Sequence, residues 1–331
     1  SVLPVSAFAL EGSAEFERTV SAQENSDAPA ETSGKGYLLP TDSATTINKD
    51  FIEEHGGSKV YSISGTYTEG IVIDVVINVT GDTTFDKKDG NKKDCANFIT
   101  VCNANSVTVN AEGQTIKMAG NFIRCFYAED SFKGTAELNG GTYNVQCDDI
   151  AACYLCGGNW TFNHLTMKAI TRAIETDGAN VTVNGGSYDC HDSTSATFWI
   201  QNSPNSSFEN VTASGAGWVL NAIDNSVVNV DGGSYSRTYK EDVRWKDEVH
   251  PDRPTLRASN NATLNVTNAD VTGTYCDVFV TGATANLFGG TYTNTNQYPG
   301  YMSPALKVWN GGTLSVNGAT VDCTGGNAAI S

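Results

Sequence analysis

The chain has 331 residues and no apolar run as long as 18, so no stretch of it is read as a membrane-spanning helix. Cations are scarce: 20 Lys and Arg stand against 37 Asp and Glu, a net charge of −17. Nucleic acids and anionic membrane surfaces both demand a positive face, so neither is an expected partner. Helical periodicity is also nearly missing, which leaves little room for a bundle or a helical repeat. What the chain does have is 33 glycines, and many of them recur in one setting.

The setting is a pair of short alternating strands meeting at a glycine corner, as in "NVTVNGGSYDC" at 180–190. Close copies stand at 228–235 ("VNVDGGSY") and 286–292 ("NLFGGTY"), with looser ones at 137, 264 and 314. "WTFNHLTM" from Trp160 and "SFENVTAS" from Ser207 read as versions with a shorter corner of two residues. The last apolar residue before each corner is Val109, Leu138, Phe162, Val183, Phe208, Val230, Val266, Leu287 and Val316. The successive intervals are 29, 24, 21, 25, 22, 36, 21 and 29. A unit of about 21–25 residues is the length signature of a solenoid, whose units pair only with their neighbours.

A further apolar run precedes each corner strand, for example "WVLNAIDNS" from Trp218 and "DVFVTGAT" from Asp277. Three short period-2 strands per unit, with Gly and Asn at corners that need positive φ, predict an all-β, right-handed parallel β-helix. In these features the chain resembles the pectate-lyase-like superfamily, over roughly residues 58–331. The resemblance is specific for fold, not activity.

The ends read differently. Residues 1–9, "SVLPVSAFA", have the apolar stretch and A-x-A pattern of a signal-peptide remnant. Residues 10–45 are acidic and aperiodic, as expected of a flexible spacer before a β-helix over 46–331. From Thr46, "TINKDFIEEHGG" predicts a short helix capping the first coil. Thr46 would be its N-cap, Ile47, Phe51 and Ile52 its apolar face, and Gly56 its stop. At the far end "NAAIS" would set Ala328–Ile330 where earlier coils hold "VFV" and "LKV". That open end suggests truncation, with further C-terminal domains beyond it.

Nine cysteines forbid complete internal pairing. Cys153 and Cys156 spell C-x-x-C, without the second pair, His partners or βαβ context that zinc or redox chemistry would need. Cys190 and Cys323 fall seven residues after their anchors, where small buried thiols fit. A disulfide from Cys95 to Cys102 or to Cys125 is an open alternative. N-x-S/T triplets begin at Asn78, Asn159, Asn180, Asn205, Asn210, Asn261 and Asn265, and matter only in a glycosylating host.

Catalytic candidates are few. Polygalacturonase-type β-helices are similar to one another in an N-x-D, a D-D, a G-H-G and an R-x-K. Asp148-Asp149 matches the D-D, and no G-H-G occurs anywhere. Asp189, His191 and Asp192 in "DCHDS" form a second acidic group, with Arg257 as the cation a lyase or hydrolase would add. The competing reading is that these acids are solvated turn residues. No metal or cofactor is expected, and calcium would enter only with lyase chemistry.

The 36-residue interval holds "RTYKEDVRWKDEVHPDRP" at 237–254, predicted to project from a corner as a loop. Tyr239, Arg244, Trp245 and Lys246 within it are the candidate ligand-binding residues, an aromatic plane beside cations that suits an acidic sugar. A self-satisfied ion-pair loop is the alternative. Taken together, these features predict a secreted or cell-surface module of the bacterial adhesin-like type. A host or cell-surface carbohydrate is the expected partner. A polysaccharide lyase or glycoside hydrolase is the second reading.

Overall fold

Residues 180–201 show how one coil is built. In the strand Asn180–Asn184, Val181 and Val183 are buried while the polar residues between them face outward. Gly185 and Gly186 turn the chain into Ser187–Cys190, which buries Tyr188 and Cys190. A third strand, Ala196–Gln201, returns Phe198 and Ile200 to the interior. Each strand pairs in parallel with the matching strand of the coil before and the coil after. The computed structural model describes residues 36–331 except 74, 88–94, 103–105, 147–149, 193, 239–252, 296–302 and 325–329. Over that span the unit repeats as three parallel faces of a right-handed β-helix. No helix among the described residues is long and apolar enough to cross a membrane.

The nine anchor residues stack on the first face in the order given above, and Ile77 extends the row by one coil. On the second face the inward row runs Tyr143, Met167, Tyr188, Ala213, Tyr235, Val271, Tyr292, Val321. Tyrosines thus recur every second coil with a smaller side chain between, which lets the large rings fit a narrow interior at close-packed density. Val183, Tyr188, Val230, Tyr235, Leu287 and Tyr292 are each at most 2% exposed.

From the strand Thr135–Asn139 onward the corner between first and second faces is two residues long whether or not it contains glycine, while one coil earlier, between Asn110 and Thr115, it is four residues long. His164-Leu165 joins Asn163 to Thr166 just as Gly185-Gly186 joins Asn184 to Ser187, so the expected short and long corners are one corner. Its first residue has a left-handed backbone: φ is 55° at His164, 63° at Gly185 and 52° at Asn210. Its second residue faces the neighbouring coil. A Cβ on Gly186 would lie 2.3 Å from the Leu165 carbonyl oxygen, so glycine is required there. Length varies most at the corner between second and third faces. Two residues separate Gly215 from Trp218, while sixteen separate Arg237 from Pro254.

Asparagine ladders run along the outside of the first face. Asn110 donates to Asn78, Asn139 to Asn110, Asn163 to Asn139 and Asn184 to Asn163, at 2.8–3.0 Å. Asn110, Asn139 and Asn163 each donate to the coil before and accept from the coil after.

Both ends depart from expectation. Tyr37–Leu38 pairs with Tyr61–Ser62 and Thr45–Thr46 with Ile71–Val72, so sheet pairing starts inside the stretch assigned to the spacer. The reason is that the first coil's edge offers unpaired backbone groups that this segment satisfies. The helix Lys49–Glu54 is capped by Asn48 instead of Thr46: Asn48 Oδ1 accepts from the Phe51 N–H at 2.9 Å. Thr46 is committed to its strand and cannot cap. Ile47 is buried, and Phe51 and Ile52 pack on the core, as the apolar spacing required. At the other end Ile330 pairs with Leu306, the place the spacing assigned to Ala328, which lies outside the described residues. A slip of two residues keeps the same side chains on the same face, so alternation alone could not fix it. Val316 and Ile330 there are 39% and 54% exposed.

Candidate functional site

The third face differs from the other two in what it shows to solvent. First-face outward positions hold Thr182, Ser207, Asn229, Asn265 and Asn286 in successive coils. The matching third-face row reads Tyr127, Tyr154, Glu175, Trp199, Asn221, Arg257, Phe279, Lys307. The cause is local. In "RCFYA" and "TFWIQ" an aromatic stands in the outward phase directly beside one in the inward phase, and in "DVFVT" Phe279 holds the outward phase between two buried valines. Stacking at about 4.8 Å per coil then converts single residues into a strip.

Cations lie over these rings. Arg124 Cζ sits 4.9 Å from the Tyr154 ring centre and 5.5 Å from Tyr127, and those two rings stack 6.1 Å apart. Arg172 lies 4.8 Å over Trp199 and donates to Glu175 at 2.7 Å. Arg253 and Arg257 lie 4.3 and 5.6 Å from Trp218, which meets Trp199 edge-on at 6.1 Å. Lys307 lies 5.6 Å from Phe279 and 6.0 Å from Tyr275. Stacked guanidinium groups hold the rings in place and leave aromatic area for a ligand, each contact stabilising by about 0.5–1 kcal/mol at an exposed site. Burial first, and the neighbouring Arg253 charge second, press Arg257 below its usual pKa.

The predicted site residues fall in three groups. Asp148, Asp149, Tyr239, Arg244, Trp245 and Lys246 lie outside the described residues. Arg244-Trp245-Lys246 also spells the R-x-K triplet, within that same segment. Asp189 and His191 are brought together on the second face, with His191 Nε2 3.2 Å from Asp189 Oδ2. Ser214 Oγ donates to the other oxygen of Asp189. Serine and histidine therefore both lean on one carboxylate, and no imidazole stands between nucleophile and acid as a relay would need. Asp192 is buried and its Oδ1 accepts from the Thr194 N–H and hydroxyl, both at 2.7 Å, which is turn-forming work. Arg257 stands on the third face, two coils beyond the coil of Asp189.

One further residue was misplaced by the sequence pattern, and one went unremarked. Arg237, counted with the projecting segment's cations, ends a strand and is buried. Its Nε donates to Ala216 O at 3.2 Å and its Nη1 to the Thr274 hydroxyl at 2.9 Å. Gly215 and Gly273 end the matching strands of the adjacent coils and leave it room. Asp277 is fully buried at the corner leading into the third face, and burial raises its carboxyl to about 8 while the Gly273 backbone opposes. A concavity of 470 Å³ at the first corner is lined by Glu112, Gln114, Asn139, Asn163 and His164 among others, polar groups without an aromatic platform.

Comparison with protein-family models, curated proteins and solved structures returns no match. The functional reading therefore rests on the third face itself. Its strip was within reach of the sequence: aligning the third strands by coil and reading the outward phase brings Tyr127, Tyr154, Trp199 and Phe279 into one row.

Proposed function

We propose that this β-helix is a secreted or cell-surface module that holds carbohydrate along its third face, in the adhesin-like manner of pectate-lyase-like solenoids. The observation that supports this reading is the third-face row in which the partly exposed aromatics Tyr127, Tyr154, Trp199 and Phe279 and the cations Arg257 and Lys307 align, interrupted by Glu175 and the buried Asn221. Ser, Thr and Asn on the other faces bind water as well as they bind sugar hydroxyls. A ring plane is different, because pyranose C–H groups gain contact there that water cannot replace. The segment 237–254 leaves and rejoins the chain at the border of this face, so Trp245 belongs to the same proposal. The separation of Asp189 from Arg257 by face and by two coils favours binding over cleavage.

The test is binding of the whole chain to an array of polysaccharides, with Tyr154→Ala, Trp199→Ala and Trp245→Ala against Asn229→Ala as a first-face control. Loss of binding in the three aromatic variants, with thermal unfolding little changed, is the expected result. Wild-type binding by the Tyr154 and Trp199 variants, or no binding by the wild type, rejects the third face as a glycan surface. A Trp245→Ala variant that melts lower but binds normally would make that residue structural only.

A further inference from the structure

Within the strip, one cluster differs from the rest. Trp218 and Asn221 lie three residues apart on the strand Trp218–Ile223, and Asn221 pairs in register with Arg257 of the next coil. Arg253 precedes that next strand and stacks on Trp218 at 4.3 Å. Some other cations have acids: Arg172 holds Glu175 and Lys87 holds Glu69, both at 2.7 Å. Among the described residues no carboxylate lies within ion-pair distance of Arg253 or Arg257. Two like charges thus share one indole ring with no carboxylate partner among the described residues.

The polar atoms beside them are also unsatisfied. Asn221 is 0% exposed, and neither its Oδ1 nor its Nδ2 has a hydrogen-bond partner. Trp218 is 8% exposed and its Nε1–H is unpartnered, as is the buried Nε–H of Arg253. A buried amide left unpaired costs about 1–3 kcal/mol, so such groups call for an explanation. Three of the four unsatisfied groups are donors, and they sit beside two guanidinium groups in a chain of net charge −17. Unpartnered donors in the neighbourhood of paired cations favour an anion, and planar guanidinium forks suit an oxyanion's paired oxygens. The single acceptor, Asn221 Oδ1, suits a hydroxyl next to it.

We propose that Trp218, Asn221, Arg253 and Arg257 form a site for the anionic substituent of a bound sugar, a carboxylate or a sulfate ester. The proposal builds on the carbohydrate reading of the third face and makes this cluster the place where charge is read.

The test uses the full chain in calorimetry with two matched pairs of probes: oligogalacturonate against its methyl ester, and a sulfated oligosaccharide against its desulfated form. One charged member should bind about tenfold or more tighter than its neutral partner. Which pair shows the difference tells carboxylate from sulfate. Arg257→Gln and, separately, Arg253→Gln should abolish that preference while neutral-probe affinity stays. Arg257→Lys should restore it only in part, because charge without the fork is kept. Asn221→Leu should raise the melting temperature yet weaken charged-probe binding, a combination a purely structural amide would not give. Equal binding of charged and neutral probes by wild type, or an undiminished preference in both arginine variants, overturns the site and leaves the carbohydrate reading intact. If no oligosaccharide binds, free galacturonate and inorganic sulfate decide by thermal shift. A shift in wild type that is lost in Arg257→Gln keeps the anion site and discards the carbohydrate reading, whereas no shift discards both.

Discussion

Cys153 and Cys156 sit three residues apart around one strand and point to opposite sides of it. Cys153 is buried in the core, while Cys156 lies half-exposed on the third face beside Tyr154. A disulfide needs Cβ atoms about 3.5–4.5 Å apart, which two side chains on opposite sides of a strand cannot offer. The C-x-x-C spacing is therefore a coincidence of alternation.

The thiols should behave accordingly. Burial pushes Cys153 and Cys276 far above the ordinary thiol range and Cys190 up to about 12, so none forms thiolate near neutral pH. All three should resist a thiol reagent in the native protein and react after unfolding without reductant. Peptide mapping that finds a Cys153–Cys156 disulfide in the native chain would refute this arrangement.

The asparagine ladder should be weakest to damage in its middle. Asn163 donates to Asn139 and accepts from Asn184, while Asn286 donates to Asn265 and ends its run. Asn163→Ala orphans groups on two coils and should cost about 1–3 kcal/mol; Asn286→Ala should cost less. Urea unfolding of the two variants gives the comparison, and equal midpoints would count against the ladder.

The same ladders order the glycosylation triplets. Asn159, Asn180 and Asn265 spend their side-chain amides on neighbouring coils, whereas Asn210 and Asn261 lie exposed at left-handed corners. In a glycosylating host, sugar should appear at Asn210 and Asn261 before the ladder positions. Mass spectrometry of glycopeptides reads the order directly.

Asp277 ties stability to pH. Its folded pKa of about 8 lies above the ordinary 3.8, so folding takes up a proton between those values. The penalty is absent below the lower value, grows through the interval and is complete above about 8. Stability should thus fall as pH rises from about 4 to 8, and Asp277→Asn should flatten that slope and raise the melting temperature most at alkaline pH. An unchanged slope in the variant would remove Asp277 as its cause.

Val230→Asp tests the stack itself. Val230 lies between Phe208 and Val266 and is 2% exposed, so a carboxylate there would enter an apolar row. The expected loss is about 3 kcal/mol or more, against little change for Asn229→Asp on the outward side. Similar unfolding of the two variants would contradict the register.

Fold and register were legible because they depend on period and spacing, which a single strand already displays. Nine anchors stack in the order the intervals implied, and even the two-residue His164-Leu165 corner falls in line. The third-face strip was harder to see, since it exists only between coils. Trp199 and Tyr154 sit in different repeats, and nothing local marks them as neighbours. Asn48 was missed for a related reason: whether Thr46 can cap depends on Val72, its partner across a sheet. Arg237 looked like a loop cation because its sequence neighbours are charged, yet glycines in the coils on either side give it an interior place. Local rules described each element, and contacts across coils decided how it was used.

The corner between first and second faces has an even length, two residues in most coils and four at 111–114, and this parity has a consequence for how such a molecule can change. A single-residue insertion there would flip the side chains of the following strand to the opposite side, so the corner can change only by pairs of residues, as it does at 111–114, and the stack itself lengthens by whole coils. Each added coil would move the later part of the third face by one rise, about 4.8 Å, without rotating its side chains out of line. The molecule is in this sense a ruler with fixed graduations, and duplication or loss of a coil would reset the distance between the Tyr154 ring and the Arg253–Arg257 pair in equal steps.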